Sequence, residues 1–328
     1  MIQKQILAAA AAVLAGWGLM SGCSAKMPAE DDRLTIVCTN FSEYDWTKQL
    51  IAGCEDEYEV TYLLENGMDI HSYQPTALDV AKISGCDLFI YVGGESEYWV
   101  SDVLAEAVNP DMQVIRLMDE VKALEEEHIP GMETEEAHEE HEDEEETPEL
   151  DEHVWLSVKN AGRFCEAISE KLCVLDSSHA DVYTANLAAY QAQLDELDQA
   201  FYYAYALTEC PVLIVADRFP FRYFIEDYPY MYYAAFAGCS AETEASFQTI
   251  AFLAGKADEN GVGTIFTIEG GGSAIAESVI ANTTGKNQRI AELNSLQSVT
   301  REQIDSGATY ISLMEENLGV LKEAAGLK

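Results

Sequence analysis

Two histidines lie in short polar segments that would suit ligands of a metal ion. His71 belongs to the segment 66–75, and His153 belongs to the segment 151–157. Between them, residues 125–152 form a run rich in Glu and Asp. This run contains three further histidines: His128, His138 and His141. Imidazole is the commonest protein ligand for a borderline divalent cation such as zinc. The pattern therefore favours a protein that collects such a cation.

The charge balance of the chain agrees with a cationic ligand. The formal net charge is −41 over 328 residues. Residues 125–152 hold 16 acidic side chains and no Lys or Arg, so the rest of the chain keeps a net charge of −25. A field of this sign repels nucleic acid, which needs Lys and Arg against phosphate, and it concentrates cations. The alternative is that the acidity serves only solubility.

The N-terminus has the features of a targeting segment. Lys4 provides a positive start, and an apolar stretch over residues 6–19 follows it. This stretch is too short to span a bilayer comfortably. It leads into Ser-Gly-Cys at 21–23, which resembles a bacterial lipobox. We therefore predict a lipoprotein signal peptide over 1–23 and lipidation of Cys23, with ordinary secretion as the alternative. Both place the mature protein outside the cytoplasm.

Short β-rich runs alternate with helical patterns along the rest of the chain. This alternation predicts an α/β fold with mainly parallel sheets, in two Rossmann-like lobes. The N-terminal lobe is predicted over 33–178, with an acidic, His-bearing mobile loop at 125–150. A linking helix is predicted over 179–208, and the C-terminal lobe over 209–328. The predicted strands are 34–39, 60–64, 88–92, 114–117, 212–216, 232–236, 264–268 and 289–293. The predicted helices are 43–54, 76–83, 96–106, 160–172, 180–207, 222–226, 246–260, 273–283 and 301–325.

Further metal donors follow the predicted strands of the second lobe. Asp217, Glu269 and Asn294 each come directly after a strand, and His71 follows the strand 60–64 by a short loop. In open α/β sheets, ligands bind outside the carboxyl ends of the strands. We therefore expect these side chains to approach one another at one edge.

Cysteine is a weaker candidate for the site. Seven cysteines remain besides Cys23, and none forms a Cys-x-x-Cys unit, which argues against a thiolate zinc site. The pairs Cys38–Cys54 and Cys165–Cys173 could form disulfides, but the sequence does not decide this.

Several ordered motifs resemble one family, the zinc- or manganese-type substrate-binding lipoproteins of bacterial ABC transporters. Residues 69–76 (DIHSYQPT) are similar to the family segment that contains its first metal histidine. Residues 151–157 (DEHVWLS) are similar to the segment that contains its second. An acidic His-bearing loop before that second motif is typical of the zinc members. Residues 93–99 (GGESEYW) resemble the turn that places a Trp near the cleft. The resemblance covers the whole mature chain.

The resemblance implies two α/β lobes joined by a long helix, with the metal between them and two ligands from each lobe. His71 and His153 match the first two ligands. The third falls within 216–224, where the alignment puts Arg218 at the ligand position. Arg cannot bind a cation, so Asp217 is the expected carboxylate donor. Asn294 occupies the place of the fourth ligand, with Glu269 as an additional donor.

Zn²⁺ is the expected ion, because the His-bearing loop is typical of the zinc members. Mn²⁺ is the alternative, since an amide oxygen and extra carboxylates suit a harder cation. A further alternative is a family member that binds no metal. Affinity is expected to fall as pH drops below about 6.5, because protons compete for imidazole.

The predicted function is an extracytoplasmic solute-binding protein, anchored to the cell membrane through Cys23, that captures zinc and delivers it to an ABC permease. We expect a monomer with no nucleic-acid partner and no enzymatic activity. The alternative is a zinc-dependent metallohydrolase with Glu269 or Glu95 as general base. No His-Glu-x-x-His signature supports this alternative.

Overall fold

The computed structural model describes residues 33–133, 149–240 and 244–328. The predicted signal peptide and Cys23 lie outside the described residues, as do His138 and His141. Within the described part of the chain, no helix is both long and apolar enough to cross a membrane.

Two four-stranded parallel sheets form the framework of the molecule. The first has the strand order β2-β1-β3-β4 and the second the order β6-β5-β7-β8. All the pairings within both sheets are parallel. The predicted α/β fold class is therefore confirmed. The strands are β1 (Leu34–Cys38), β2 (Tyr58–Tyr62), β3 (Leu88–Tyr91), β4 (Gln113–Arg116), β5 (Val212–Arg218), β6 (Met231–Phe236), β7 (Thr264–Ile268) and β8 (Arg289–Leu293).

The central strands are buried on both faces. All five residues of β7 are buried, and the last three residues of β1 are also buried. Such continuously buried runs are typical of parallel strands, which lose contact with water on both faces. The helices are α1 (Phe41–Leu50), α2 (Ala77–Gly85), α3 (Val100–Ala105), α4 (Val158–Leu175), α5 (Ala180–Leu207), α6 (Arg222–Asp227), α7 (Phe247–Asn260), α8 (Ala274–Asn282), α9 (Arg301–Asp305) and α10 (Tyr310–Ala324).

Helix α5 has the 28 residues that the spacing of its apolar positions predicts. One face, which includes Tyr183, Tyr190, Leu194 and Phe201, is buried. This face packs on α4 and α1 and also on α10 near the C-terminus. The helix therefore contacts elements from both halves of the chain.

Some predicted boundaries differ from the structure. The helix predicted over 96–106 is a 3₁₀ turn at Glu95–Glu97 followed by the short α3. The helix predicted over 301–325 is divided into α9 and α10, because Gly307 takes a φ of 99° that ends the first part. Asp217 lies inside β5 and not after it. Residues Leu34–Lys328 pack as one compact unit, so the predicted lobe boundaries stay a prediction.

The two ends of the acidic segment form a stem, which the sequence did not predict. Glu125 and Leu150 form an antiparallel bridge, and the N–H of Glu126 donates to the carbonyl of Glu149 at 2.9 Å. Met132 is buried, and the N–H of Glu133 donates to the carbonyl of Ala235. The mobile loop predicted over 125–150 otherwise stays a prediction, because residues 134–148 lie outside the described part of the chain.

Candidate metal centre

His71 and His153 are placed by two tight turns. His71 lies in the 3₁₀ turn Ile70–Ser72, whose first residue follows Asp69, and the Asp69 carboxylate accepts from the His71 N–H at 3.0 Å. His153 precedes the 3₁₀ turn Val154–Leu156, and its N–H donates to Asp151 Oδ1 at 2.8 Å. Each turn therefore has an Asp two residues before its His, which fixes the backbone by an Asx-type hydrogen bond.

The two imidazole rings meet although 82 residues separate them in the chain. The Nε2 atoms lie 3.1 Å apart, and the ring centroids are 5.1 Å apart. Two histidines on a tetrahedral zinc ion, each at about 2.05 Å, would have their nitrogens about 3.3 Å apart. The observed separation is therefore close to that of two ligands directed at one cation.

The second nitrogen of each ring has its own partner. His71 Nδ1 lies 2.7 Å from Ser96 Oγ, and His153 Nδ1 lies 3.1 Å from Asp151 Oδ1. The Asp151 carboxylate is an acceptor, so His153 Nδ1 carries the hydrogen and its Nε2 is the available ligand atom. Outer partners of this kind orient metal-binding imidazoles and raise their basicity.

The environment of the pair is deeply buried and mostly acidic. His153 is fully buried. Burial and the neighbouring His153 lower the pKa of His71 to about 3. Burial alone would lower the pKa of His153, but the carboxylates of Asp151, Glu152 and Asp69 raise it above the ordinary value. Burial and the neighbouring imidazole disfavour the protonated form of His71, whereas the surrounding carboxylates favour the protonated form of His153.

Glu152 adds a buried carboxylate with spare bonding capacity. Its Oε1 accepts from the Ser96 N–H at 2.8 Å. Its Oε2 is buried without a hydrogen-bond partner among the described residues, and it lies 3.9 Å from His71 Nδ1. An unpaired buried carboxylate oxygen is costly unless positive charge is near it. Its position suits a centre that receives a cation.

Asp217 and Glu269 face the same cleft as His71, which has a volume of about 480 Å³. The carboxylate of Asp217 accepts from the N–H groups of Arg218 and Ile268, and burial raises its pKa. The carboxylate of Glu269 accepts from the backbone and the hydroxyl of Ser295 at 2.7 and 2.6 Å. Within the described ranges, neither belongs to a group whose ligand atoms lie within 4.8 Å of both histidines. Their role as ligands stays a prediction.

Asn294 is engaged in local structure. Its Oδ1 accepts from the Leu296 N–H at 2.8 Å, and its backbone exchanges two hydrogen bonds with the side chain of Asn317. Gln297 from the same loop reaches the histidines instead. Its amide group lies 2.7 Å from His153 Nε2 on one side and 3.0 Å from Asp69 Oδ1 on the other. Sequence reasoning missed Gln297, since nothing in its local pattern marks it.

Arg218, which aligns with a ligand position, pairs across the cleft. Its Nη2 lies 2.6 Å from Asp69 Oδ2. Asp69 precedes His71 in the first half of the chain, whereas Arg218 ends β5 in the second. The pair therefore links the two halves beside the site, and it offsets part of the local negative charge.

Cys239 also approaches the two histidines, although the lack of a Cys-x-x-Cys unit in the sequence argues against a thiolate site. Its sulfur and one ring nitrogen from each of His71 and His153 all lie within 4.8 Å of one another. Burial and the carboxylates of Asp151, Glu126 and Glu152 raise the pKa of the thiol. Cys239 comes three residues after β6, so the strand-end rule that selected Asp217 could also have selected it.

A cleft at the carboxyl ends of two parallel sheets, with paired imidazoles and buried carboxylates, defines a metal-binding protein of the cleft type. Residues 36–324 match the family model described as zinc-uptake complex component A, periplasmic. The chain belongs to this family. Members of that family are components of uptake complexes and are not enzymes.

Known relatives agree with this assignment. The chain is 33% identical to the zinc-binding lipoprotein AdcA of Streptococcus pneumoniae over 304 residues. This match covers 92% of this chain and 57% of AdcA. It is 28% identical to the high-affinity zinc uptake system protein ZnuA of Bacillus subtilis, over 94% of this chain and 92% of ZnuA. The chain therefore spans just over half the length of AdcA and nearly all of ZnuA.

A solved structure shares the fold. The Zn(II)-bound ZnuA-like domain of Streptococcus pneumoniae AdcA superposes with a TM-score of 0.70 at 28% identity. The match covers 89% of this chain and 99% of that domain.

Proposed function

We propose that this protein captures Zn²⁺ outside the cytoplasm and delivers it to an ABC permease. The observation that carries the proposal is the 3.1 Å approach of His71 Nε2 to His153 Nε2 in a buried cleft. The names of the relatives support the choice of cargo, because AdcA is a zinc-binding lipoprotein and ZnuA belongs to a high-affinity zinc uptake system.

The donor chemistry favours zinc over manganese. Imidazole nitrogen suits zinc, whereas manganese is typical of sites built from oxygen donors. His71 and His153 are the proposed principal ligands. Asp217, Glu269 and Asn294 are proposed as the residues from which the remaining ligands are drawn. Asp217 and Glu269 have the advantage of negative charge, and both line the cleft beside His71.

The proposed location is the outer face of the cell membrane, with the protein tethered as a monomer by a lipid on Cys23. The sequence around Cys23 and the lipoprotein name of AdcA support this. The acidic segment has its stem beside the site, since the N–H of Cys239 donates to Glu126 Oε1 at 2.7 Å. We propose that the segment raises the local concentration of cations at the mouth of the cleft.

Removal of either imidazole tests the proposal. We expect His71→Ala and His153→Ala each to weaken zinc binding by at least about 100-fold, since losing an outer partner alone costs 10–100-fold. Calorimetric titration with a competing chelator measures the change. His179→Ala is the matched control, because His179 pairs with Asp176 at the start of α5, away from the cleft. Unchanged zinc binding in both cleft variants would refute the site.

The hydrolase alternative makes a different prediction. A metallohydrolase would turn over ester, peptide or phosphate substrates once loaded with zinc. The binding protein should bind zinc stoichiometrically and release no product from any of these substrates. Zinc-dependent turnover that is lost in His153→Ala would favour the enzyme.

A further inference from the structure

We infer that the thiolate of Cys239 is a third ligand of the cation held by His71 and His153. This inference rests on the proposed function, because it adds a donor to the same site. It identifies the site as one that combines nitrogen and sulfur donors and therefore selects a borderline or soft divalent cation.

The side chains of Cys239, His71 and His153 lie close together. The Cys239 sulfur and the two ring nitrogens lie mutually within 4.8 Å, and this is the sole group in the described ranges that joins both histidines to a third His, Cys, Asp or Glu ligand. A zinc ion with standard bond lengths would put sulfur and nitrogen about 3.6 Å apart. The upper limit of 4.8 Å on the separations of the three atoms includes this value.

Two contacts of the chain hold Cys239 near His153. Gly238 packs on the His153 ring so closely that a Cβ there would lie 3.1 Å from Cε1 and 3.2 Å from Nδ1. The next residue, Cys239, is anchored by the hydrogen bond from its N–H to Glu126. A glycine that admits the backbone and a carboxylate that fixes it together bring the thiol to the imidazoles.

The other cysteines differ from Cys239 in their burial and their neighbours. All seven described cysteines are free, and four of them are buried in the apolar core: Cys38, Cys54, Cys86 and Cys165. Cys239 differs from these four because it is half-buried and it meets two imidazoles. Metal binding would break its S–H bond, release the proton to solvent and form a sulfur–metal bond.

A thiolate also makes a prediction about selectivity. Sulfur donors favour zinc strongly over manganese, which prefers oxygen. With Cys239, His71 and His153 bound, one position of a tetrahedral shell remains for an oxygen donor from the cleft. The thiolate therefore supplies a donor that Arg218 cannot supply.

Cobalt substitution tests the inference. Co²⁺ added to the metal-free full chain should give visible d–d bands of a tetrahedral site and, in addition, a thiolate-to-cobalt charge-transfer band in the near ultraviolet. Cys239→Ser should lose the charge-transfer band and keep the d–d bands. The same variant should bind zinc at least about tenfold more weakly and show a smaller preference for zinc over manganese. Cys210→Ser is the control, because Cys210 is exposed and belongs to no metal-ligand group among the described residues.

The possible results separate the two proposals. No d–d bands and no stoichiometric binding in the unmodified protein would refute the proposed function. Normal d–d bands without a charge-transfer band, or a band that persists in Cys239→Ser, would refute only the role of Cys239. The spectrum of the unmodified protein needs no variant, so it decides the point even if Cys239→Ser fails to fold. The variant Glu126→Gln should retain the charge-transfer band. If this variant lost both the charge-transfer band and the d–d bands, the cation would be assigned to Glu126, Glu149 and Cys239.

Discussion

At the scale of single residues, the centre depends on partners that are not themselves ligands. Asp151 holds the Nδ1 of His153, and Ser96 holds the Nδ1 of His71. These contacts occupy Nδ1 and leave the Nε2 of each ring for the proposed cation. Glu152 bonds to the Ser96 N–H and leaves a second oxygen free near His71. Negative charge is thereby supplied next to the imidazoles.

The role of Asp151 is testable by a variant of the same size. We expect Asp151→Asn to weaken zinc binding by about 10–100-fold, because the amide still accepts a hydrogen bond but no longer raises the basicity of His153. Titration at pH 8 keeps competition from protons small.

Asp176→Asn is the matched control for this variant. Asp176 contacts His179 in the same way, at 2.6 Å, but lies outside the site. Equal losses in both variants would mean that the Asp151 effect is not specific to the metal centre.

At the scale of secondary structure, the loops after parallel strands deliver the donors. His71 follows β2, Cys239 follows β6, Glu269 follows β7 and Gln297 follows β8. The loop after β6 needs the closest approach of backbone to ligand, because Gly238 touches both the His153 ring and the carbonyl of Phe219. The path of the loop after β6 therefore helps to orient His153, which belongs to the first half of the chain.

Substitution of Gly238 tests this contact. A Cβ at 238 would lie 3.0 Å from Phe219 O and 3.1 Å from His153 Cε1, so Gly238→Ala must displace the ring or the loop. We expect zinc affinity to fall by about tenfold or more and the free energy of unfolding to fall by about 1–3 kcal/mol. Calorimetry and urea denaturation measure the two effects.

Gly162→Ala in α4 provides the comparison. A Cβ at that position would meet no atom within 4 Å. Alanine there should leave zinc affinity unchanged and stabilise the helix by up to about 1 kcal/mol. If Gly238→Ala bound zinc normally, the close approach would have no role in the site.

At the scale of the whole molecule, the acidic character extends into the interior. Burial raises the pKa of Asp45 to about 6 and that of Glu97 to about 7. Glu97 Oε1 is buried without a hydrogen-bond partner among the described residues, and Glu43 and Glu152 are nearby carboxylates. These interior groups work against the stability of the protein at neutral pH, in addition to the repulsion expected from a net charge of −41.

The stability of the metal-free protein should therefore increase on mild acidification. The folded forms of Asp45 and Glu97 bind protons at a higher pH than the unfolded chain does, so the free energy of unfolding falls as pH rises through 6–7. His71 has the opposite effect on the free energy of unfolding, because its pKa is lowered to about 3 in the folded protein. Near pH 6 this imidazole binds a proton only in the unfolded chain. We expect a net gain of about 1–3 kcal/mol between pH 8 and pH 5.5, measured by urea denaturation.

Glu97→Gln provides the check on this explanation. Glutamine keeps an acceptor for the Gly93 N–H, which donates to Glu97 Oε2, but it does not titrate. The variant should be more stable than the parent at pH 8 and should show a weaker dependence on pH. A parent protein that loses stability from pH 8 to pH 5.5 would contradict the prediction.

The sequence alone determined the two parallel α/β sheets, the 28-residue helix and the pair His71 and His153, because hydrophobic periodicity and local turn motifs are properties of short segments. Only the tertiary structure decided which side chains surround that pair. Each strand end offers several polar residues, and the path of each loop selects among them. The strand-end rule selected Asp217, Glu269 and Asn294 from the sequence, yet Cys239 and Gln297 lie closer to the histidines than these three residues do. Contacts between loops that are 80 or more residues apart made that selection, and no local pattern encodes such contacts.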